Sequence, residues 1–441
     1  MMIRNRMLLV GVAALALSGC AAFKGHGRKT PVLGERIPIL GSESDVIADR
    51  AIADVQVLVP PAEVNDSWAQ PGGSASKATG HLALGATVSR AWTVQIDGGS
   101  NRQRLAASPV VADGKLFAMD VDGVVHAFKA DSGAKLWSTE IAKADKRNRS
   151  ARFGGGVSYD AGAVYATDGL GDVVALDANT GAEQWRTKPG GPLRGSPTIA
   201  NGNLYVLSQD NQLYALNQTD GKQSWTQQGS IESQGVFGVA APASSQGTVV
   251  AGFSSGELNA YRYENGTTLW QDALSRSSVT TSVSSLADID ADPVIDRGVV
   301  FALGQGGRMV ALEITSGQRL WEQNFAGLST PWVVGEWVFV VTDDARLVCL
   351  ARSTGKVRWI SQLRHYRSEK KHKDPITWYG PVLAGGRLVL TNSLGEVAFA
   401  SPDTGTVGQV IETKAPFSLG PIVANSTLYT LDQKGRITAY R

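Results

Sequence analysis

The stretch Ala175-Leu176-Asp177-Ala178-Asn179-Thr180-Gly181-Ala182-Glu183-Gln184-Trp185 belongs to a unit that the chain repeats many times. An apolar run comes first, a turn rich in Asp, Asn and Gly follows, and a second run ends on Trp. Asp, Asn and Gly tolerate the backbone angles of tight turns, so this pattern predicts two antiparallel strands joined by a short connection.

The spacing of the repeat is constant along most of the chain. A proline precedes the tryptophan by 28 residues in five units, and a glycine precedes it by four residues in six units. The tryptophans are Trp137, Trp185, Trp225, Trp270, Trp321 and Trp359. Each unit contains four short alternating or apolar runs separated by turn residues, which predicts a four-stranded antiparallel meander. Repeated meanders of this kind are typical of β-propellers, whose blades bury their faces against their neighbours.

The two ends of the repeat predict how the ring closes. A seventh unit begins at Pro381 but has Gln409 at the tryptophan position, and an eighth begins at Pro421 and stops at Arg441 after its third strand. Residues 90–96 resemble the outer strand of the first unit and lack partners of their own. We therefore predict an all-β, eight-bladed β-propeller over residues 63–441. Its N-terminal strand completes the C-terminal blade, and its tryptophans pack between blades.

The N-terminus resembles a bacterial targeting signal. Residues 1–19 combine two arginines with a short apolar stretch, and small residues precede Cys20 as in a lipobox. We expect Cys20 to carry lipid (palmitate among its acyl chains), and an ordinary secretory signal is the alternative. Without an aspartate after Cys20, the outer membrane is the expected destination, with the protein facing the periplasm. Residues 20–62 would then be a flexible tether, with a short helix around residues 44–55.

Composition excludes several classes of protein. A formal net charge of +2 argues against a nucleic-acid-binding protein. If Cys20 is acylated, Cys349 has no cysteine to pair with, and its apolar surroundings predict a buried core residue. The five histidines form no catalytic constellation with nucleophiles or carboxylates. Binding is therefore expected rather than catalysis, and we expect no cofactor.

The repeated unit resembles that of quinoprotein-like propellers, which include pyrroloquinoline-quinone (PQQ) dehydrogenases and the BamB lipoproteins. The resemblance to the BamB family covers nearly everything after the signal, including the lipobox, the eight units and the tether motif at residues 36–40. It implies a non-catalytic scaffold of the outer-membrane protein assembly complex, which aids folding and insertion of β-barrel proteins. The implied partners are the periplasmic POTRA domains of BamA and other subunits of the complex, and unfolded outer-membrane proteins are candidate partners.

The resemblance also implies which loops contact the partner. The acidic pair of the family matches Asp288 and Asp290, just before Pro293, and we expect both to lie on a surface loop. A second family element, Leu-x-Leu-Arg, matches residues 234–237. The arginine is absent there, which leaves Val236 and Phe237 as the implied apolar anchor.

Three other interpretations remain open from the sequence. Alternating Asp288, Asp290 and Asp292 suggest a calcium loop, but Pro293 and Val299 occupy the positions where an EF-type loop has Gly and Glu. A PQQ dehydrogenase would need a calcium site and usually adjacent cysteines. A glycan-binding propeller would expose aromatic residues, for which the candidates are Trp332, Trp337, Trp378 and Tyr379. The basic stretches at residues 143–152 and 364–373 are predicted to be solvated loops.

Overall fold

Each repeated unit forms one four-stranded antiparallel sheet, and eight such sheets make up the ring in this computed structural model. The structure describes residues 46–100, 103–143, 154–230, 240–274 and 288–441. The predicted all-β, eight-bladed propeller is confirmed.

The strands of the first four blades follow the repeat from its proline to its tryptophan and beyond. Blade 1 consists of β2 (Val110–Ala112), β3 (Lys115–Met119), β4 (Val124–Lys129) and β5 (Lys135–Glu140). Blade 2 consists of β6 (Gly155–Asp160), β7 (Ala163–Asp168), β8 (Val173–Asp177) and β9 (Glu183–Thr187). Blade 3 consists of β10 (Thr198–Ala200), β11 (Asn203–Leu207), β12 (Gln212–Asn217) and β13 (Gln223–Gln228). Blade 4 consists of β14 (Ala243–Ser245), β15 (Thr248–Gly252), β16 (Glu257–Arg262) and β17 (Thr268–Ala273).

The remaining blades differ only by one inserted hairpin and by the split last sheet. Blade 5 consists of β18 (Val294–Asp296), β19 (Val299–Leu303), β20 (Met309–Glu313) and β21 (Arg319–Gln323). Blade 6 consists of β22 (Trp332–Val334), β23 (Trp337–Val341), β24 (Arg346–Ala351) and β25 (Val357–Gln362). The hairpin consists of β26 (Tyr366–Ser368), a 3-10 helix (Glu369–Lys371) and β27 (Lys373–Pro375). Blade 7 consists of β28 (Trp378–Ala384), β29 (Arg387–Asn392), β30 (Glu396–Ala400) and β31 (Val407–Glu412). Blade 8 consists of β32 (Ile422–Ala424), β33 (Thr427–Leu431), β34 (Arg436–Tyr440) and, from the N-terminal part of the chain, β1 (Arg90–Gln95).

The ring closes where the two ends of the propeller meet. Strand β1 pairs antiparallel with β34, with Trp92 opposite Ala439. Beyond this register, Ser89 and Arg441 exchange two backbone hydrogen bonds of 2.7 and 2.9 Å. The split blade predicted from the truncated eighth unit is therefore confirmed.

Antiparallel strands give the ring two distinct ends. The first turn of every blade, and the third turn of blades 1 to 7, lie at one end, which we call the turn face. The second turn and the connection to the next blade lie at the opposite end, which we call the loop face. The longer connections between blades are therefore all on the loop face.

The repeated tryptophans lock neighbouring blades together. In seven blades the indole Nε1 of the outer-strand tryptophan donates to a backbone carbonyl of the next blade, at 2.7–3.2 Å. The donor–acceptor pairs are Trp92–Ala130, Trp137–Ala178, Trp185–Gln218, Trp225–Tyr263, Trp270–Ile314, Trp321–Arg352 and Trp359–Pro402. The predicted packing of the tryptophans between blades is confirmed.

Each indole packs against the glycine in the third turn of the next blade. At Gly221 φ is +69°, and a Cβ added there would lie 2.7 Å from the Trp185 ring. The same approach recurs at the turn glycines of the other blades that receive a tryptophan. Each tryptophan packs on the glycine of the following blade. The glycine and the tryptophan of one unit therefore take part in two different contacts.

The eighth junction lacks both halves of this contact. Blade 7 has Gln409 where the tryptophan would stand, opposite Phe399. Blade 8 has no glycine turn between its third and fourth strands, because its fourth strand is β1 from the N-terminal part of the chain. A tryptophan at position 409 would find no turn to receive it.

A segment before β1, residues 63–85, runs around the inner strands and is called the plug below. It contacts the blades in the order 8, 1, 2, 3, 4, 5, 6 and 7. Most of the contacts are single hydrogen bonds of 2.7–3.0 Å. The pairs in that order are Asn65–Asn425, Trp68–Val111, Ala69–Tyr159, Gln70–Ile199, Ala75–Ser244, Ser76–Ile295, Gly80–Trp332 and Leu82–Leu383. Except for the Trp332 indole, which donates to Gly80, these bonds satisfy inner-strand backbone groups that would otherwise face the channel unpaired.

Residues 46–62, which the sequence assigned to the tether, contact blade 6. The backbone N–H of Asp49 donates to Val357 at 2.8 Å, its carboxylate pairs with Lys356 at 3.1 Å, and Val57 is buried. In place of the predicted short helix there is a single 3-10 turn, Arg50–Ile52.

Two glycines of blade 3 provide a matched test of the contact between glycine and indole. Gly221→Ala and Gly202→Ala both place a side chain at φ near +70°, but Gly202 has open space around it. We expect Gly202→Ala to cost about 1–2 kcal/mol of unfolding free energy from backbone strain. Gly221→Ala should cost about 1–3 kcal/mol more, because its methyl group overlaps the Trp185 ring. Urea denaturation measures both, and equal losses would show that the ring contact contributes nothing.

Candidate functional site

The centre of the ring contains a cavity of about 550 Å³. The plug supplies one wall through Trp68, Gln70 and Lys77, and the first strands of the blades and the segments before them supply the others. This volume lies in the range typical of binding sites for small ligands or single side chains.

The two sides of the cavity differ in polarity. Blades 7, 8 and 1 contribute mostly apolar groups, including Pro109, Pro381 and Pro421. Blades 3 and 5 contribute polar groups, among them Asp290 and Gln305. A molecule in the cavity would therefore contact an apolar surface on one side and charges on the other.

An ion pair joins the segments before blades 3 and 5 on the polar side of the channel. Arg194, from the segment before blade 3, donates to Asp288 Oδ1 from its Nη2 at 2.8 Å. Asp288 precedes blade 5, so the pair joins two blades that are not neighbours in the ring. Both side chains are only 2% exposed, and a pair buried this deeply is costly to break because one charge would be left behind.

Gln305 holds the acidic segment from the other side. Its backbone N–H donates to the Asp288 carbonyl at 2.9 Å, and its side-chain amide donates to Asp290 Oδ2. The Nη2 of Arg194 is 3.6 Å from the other carboxylate oxygen of Asp290. The position of Asp290 is therefore fixed by the turn of blade 5 and by an arginine from the segment before blade 3.

A second buried pair comes from the plug. The ammonium of Lys77 donates to Thr198 Oγ1 at 3.0 Å, and the charge of Asp292 acts on it. Burial lowers the pKa of Lys77 to about 8, although Asp292 opposes this shift. Asp292 also accepts a hydrogen bond from the backbone of Ala241 at 2.7 Å, and burial raises its pKa.

The buried charges do not balance. Among the described residues, the carboxylates of Asp288, Asp290 and Asp292 lie near two buried cations, Arg194 and Lys77. The surplus is reflected in the pKa of Asp290, which burial and the neighbouring Asp288 raise to about 7 while Arg194 opposes the shift. Near neutral pH the cluster therefore exchanges one proton.

The expectation that the acidic pair lies on a surface loop differs from what the structure shows. Asp288 is 1% exposed, and the side chain of Asp290 is 9% exposed at the edge of the cavity. The alternating sequence suggested a solvated loop, but the loop folds inward because an arginine and a glutamine receive its carboxylates. Val236, Phe237 and Cys20 lie outside the described residues.

Arg194, Gln305 and Lys77 were not identified from the sequence. Arg194 lies three residues before Pro197, in an otherwise apolar and glycine-rich stretch. A lone arginine at such a position is the only signal that could have pointed to it. Its partner is 94 residues away, so spacing along the chain carries no information about the pair.

The other candidate features receive structural roles. His365 and His372 of the basic stretch both stack on Tyr366, with ring centroids 4.1 and 5.1 Å apart. The described residues contain no group of His, Cys, Asp and Glu side chains arranged to hold a metal ion. No helix among these residues is long and apolar enough to cross a bilayer.

The aromatic residues proposed for a glycan surface are mostly internal. Trp332, Trp337 and Trp378 are each 5% exposed, and only Tyr379 is partly accessible at the cavity. Trp332 stacks on Trp68 of the plug, with ring centroids 6.2 Å apart. Cys349 is buried in the core, as predicted.

Comparisons with known proteins agree on one family. The family model described as outer membrane protein assembly factor BamB matches residues 77–154 and 121–361. A protein of that name from Salmonella typhimurium is 30% identical over 356 residues, which cover 80% of this chain and 88% of the relative. Another from Yersinia pestis is 26% identical over 441 residues and covers 99% of both chains.

Solved structures show the same fold in two kinds of protein. BamB from Moraxella catarrhalis superposes with a TM-score of 0.68 at 18% identity, covering 80% of this chain and 100% of that one. A quinohemoprotein alcohol dehydrogenase from Comamonas testosteroni gives a TM-score of 0.66 at 14% identity, covering 86% and 81%. At these identities the likeness concerns the fold alone.

Removing the cation of the buried Arg194–Asp288 pair should lower the stability of the fold. We expect Arg194→Met to lower the unfolding free energy by about 3–5 kcal/mol, because it leaves buried carboxylates without their partner. Arg297→Met is a suitable control, since Arg297 is 54% exposed and pairs with exposed Glu336. That variant should lose less than about 1 kcal/mol. Similar losses in guanidinium denaturation would contradict a special role for Arg194.

The proton on Asp290 makes the stability depend on pH. The folded-state pKa of about 7 lies above the ordinary value of 3.8, so the folded state retains a proton that the unfolded state has lost. Between about pH 4 and 7 this group should lower the unfolding free energy as pH rises, by at most about 1.4 kcal/mol per pH unit. Asp290→Asn removes this contribution. The wild-type protein should therefore lose stability relative to the variant from pH 5 to pH 7, and parallel curves would refute the shift.

Proposed function

Since the chain belongs to the family of the outer membrane protein assembly factor BamB, we propose that it is a non-catalytic scaffold in outer-membrane protein assembly. The observation that carries this proposal is the match of the family model to most of the ring, together with relatives of the same name over nearly the whole chain. The fold adds that the protein offers rigid surfaces and long loops on one face, as a binding module requires.

The proposed partner is BamA, through its periplasmic POTRA domains. The resemblance in sequence suggests the acidic pair and residues 236–237 as contacts, and the geometry supports different roles for the two acids. Asp288 is enclosed and already bound to Arg194, whereas Asp290 borders the cavity. Both belong to the connection between blades 4 and 5, on the loop face. We therefore assign direct contact to Asp290 and a supporting role to Asp288.

The proposed membrane anchor rests on the sequence alone. Acylated Cys20 would attach the protein to the outer membrane on the periplasmic side. The described chain begins at Val46 and runs past the start of β25 on blade 6, which lies toward the turn face.

A PQQ-dependent dehydrogenase is the alternative that shares the fold. Such an enzyme would need metal ligands beside the quinone, and the carboxylates of this channel are instead engaged by Arg194, Gln305 and Lys77. The donor set present in the channel therefore does not fit that cofactor.

Partner capture tests the proposal directly. The folded propeller should retain the purified periplasmic region of BamA on a column, and Asp290→Asn should reduce the amount retained. Asp210→Asn serves as control, because Asp210 is an exposed residue in the second turn of blade 3, also on the loop face. If wild-type protein retained no BamA, the proposed partner would be wrong. Equal retention by both variants would remove Asp290 from the contact.

A further inference from the structure

The hairpin inserted between blades 6 and 7, called the basic hairpin below, concentrates positive charge in residues 364–375. Five lysines and arginines and two acids give this segment a net charge of +3, whereas the whole chain has +2. The cations are Arg364, Arg367, Lys370, Lys371 and Lys373. The surplus of one short element therefore exceeds that of the entire protein.

The fold gives the basic hairpin a defined shape. At its base, the indole Nε1 of Trp378 donates to the Arg364 carbonyl at 2.9 Å, and Trp378 is buried. Toward its tip, the Glu369 carboxylate accepts the backbone N–H groups of His365 and Tyr366, each at 3.0 Å. The charges are therefore carried by a folded element that is attached to the core of the ring.

Four of the cations have no acidic partner within ion-pair distance in the part of the chain that the structure describes. These four are all exposed, and they are Arg367, Lys370, Lys371 and Lys373. Arg364, at the base, pairs with Glu396 at 3.6 Å. Like charges gathered on one short element repel each other, and the positive φ of His372 and Asp374 adds backbone strain. An anionic surface outside the protein would relieve the repulsion.

Aromatic rings accompany these charges. Tyr366 is half-buried and stacks with the imidazoles of His365 and His372. Amphipathic rings beside lysines, whose long apolar stems end in a charge, are typical of the boundary between a bilayer and water. An acidic protein segment would account for the cations but not for the rings.

The strand that leads into the basic hairpin also contacts the N-terminal segment of the described chain. Near the start of β25, Arg358 Nε donates to the Val55 carbonyl at 2.6 Å, and the hairpin follows the end of this strand. Three apolar side chains of the N-terminal segment are 46–76% exposed, namely Ile47, Val55 and Leu58. Blade 6 therefore has exposed apolar groups at one end of its outer strand and cations at the other, a combination that suits a lipid surface.

We propose that the basic hairpin docks on an anionic phospholipid surface, with Arg367 and the three lysines against lipid phosphates. The inference rests on the membrane anchor included in the proposed function. The 26 residues from Cys20 to the start of the described chain span at most about 90 Å when fully extended. A ring tethered in this way stays within reach of the headgroups, and a weak attraction to a surface already within reach is effective.

Binding to vesicles tests the proposal. Residues 21–441, which leave out the signal and the acylated cysteine, should sediment with vesicles of phosphatidylglycerol and phosphatidylcholine and not with phosphatidylcholine alone. Each basic residue near an anionic membrane changes the binding constant about fivefold. The variant Lys370→Gln/Lys371→Gln/Lys373→Gln should therefore bind at least about tenfold more weakly. Salt at about 0.5 M should also weaken binding of the wild-type protein.

A second triple variant removes the same charge elsewhere. Lys129→Gln/Lys135→Gln/Lys222→Gln changes three exposed lysines at the third turns of blades 1 and 3, on the turn face. Its binding should stay within about twofold of the wild-type protein, because salt screens charges distant from the contact. Equal weakening by the two triple variants would show that net charge alone matters and would overturn the proposal. Absence of wild-type binding to phosphatidylglycerol, or unchanged binding of the hairpin variant, would also overturn it.

Capture of the periplasmic region of BamA separates this inference from the proposed partner. The hairpin variant should retain BamA as well as the wild-type protein does while losing vesicle binding. Loss of BamA capture with unchanged vesicle binding would make the hairpin a protein contact and overturn the proposal. If the wild-type protein bound vesicles but retained no BamA, the lipid contact would stand and the proposed partner would fail. Palmitate labelling that is lost in Cys20→Ala tests the anchor separately from both assays.

Discussion

A tryptophan of one blade lying on a glycine of the next is the contact on which the ring depends. The indole needs a backbone without a side chain beneath it, and the turn needs a residue that accepts positive φ. Glycine satisfies both requirements at Gly221 and its equivalents. The hydrogen bond from the indole Nε1 to a carbonyl of the same turn fixes the angle between blades. Because this contact is repeated seven times, one local geometry determines the curvature of the whole ring.

The sequence predicted this architecture because its determinants are local and repeated. Spacing between proline, glycine and tryptophan is visible in one unit and is reinforced by the others. The split last blade was also predictable, since an unpartnered strand at one end matches a missing strand at the other. What the sequence did not reveal is that Gln409 faces the split blade. The tryptophan is absent where the receiving blade has no third turn, because β1 supplies its fourth strand.

The candidate site was predictable only in part, because its determinants are distant in the sequence and are not repeated. Asp288 and Asp290 were identified through a motif, yet their environment depends on residues brought from other blades. Arg194 comes from two blades earlier. Lys77 comes from the plug, which precedes the first complete blade in the sequence. Long-range ion pairs of this kind leave no periodic signal. The burial of Asp288 could therefore not be distinguished from exposure by its sequence context.

The path of the plug has a consequence for the order in which the protein is made. Residues 63–85 leave the ribosome before any blade, but their partners extend to Asn425 in the last one. The segment therefore cannot finish docking until blade 8 has been made, and the same is true of β1. The earliest part of the domain has to wait for the latest part. A truncated chain would leave both unpaired, which distinguishes an incomplete product from a finished ring.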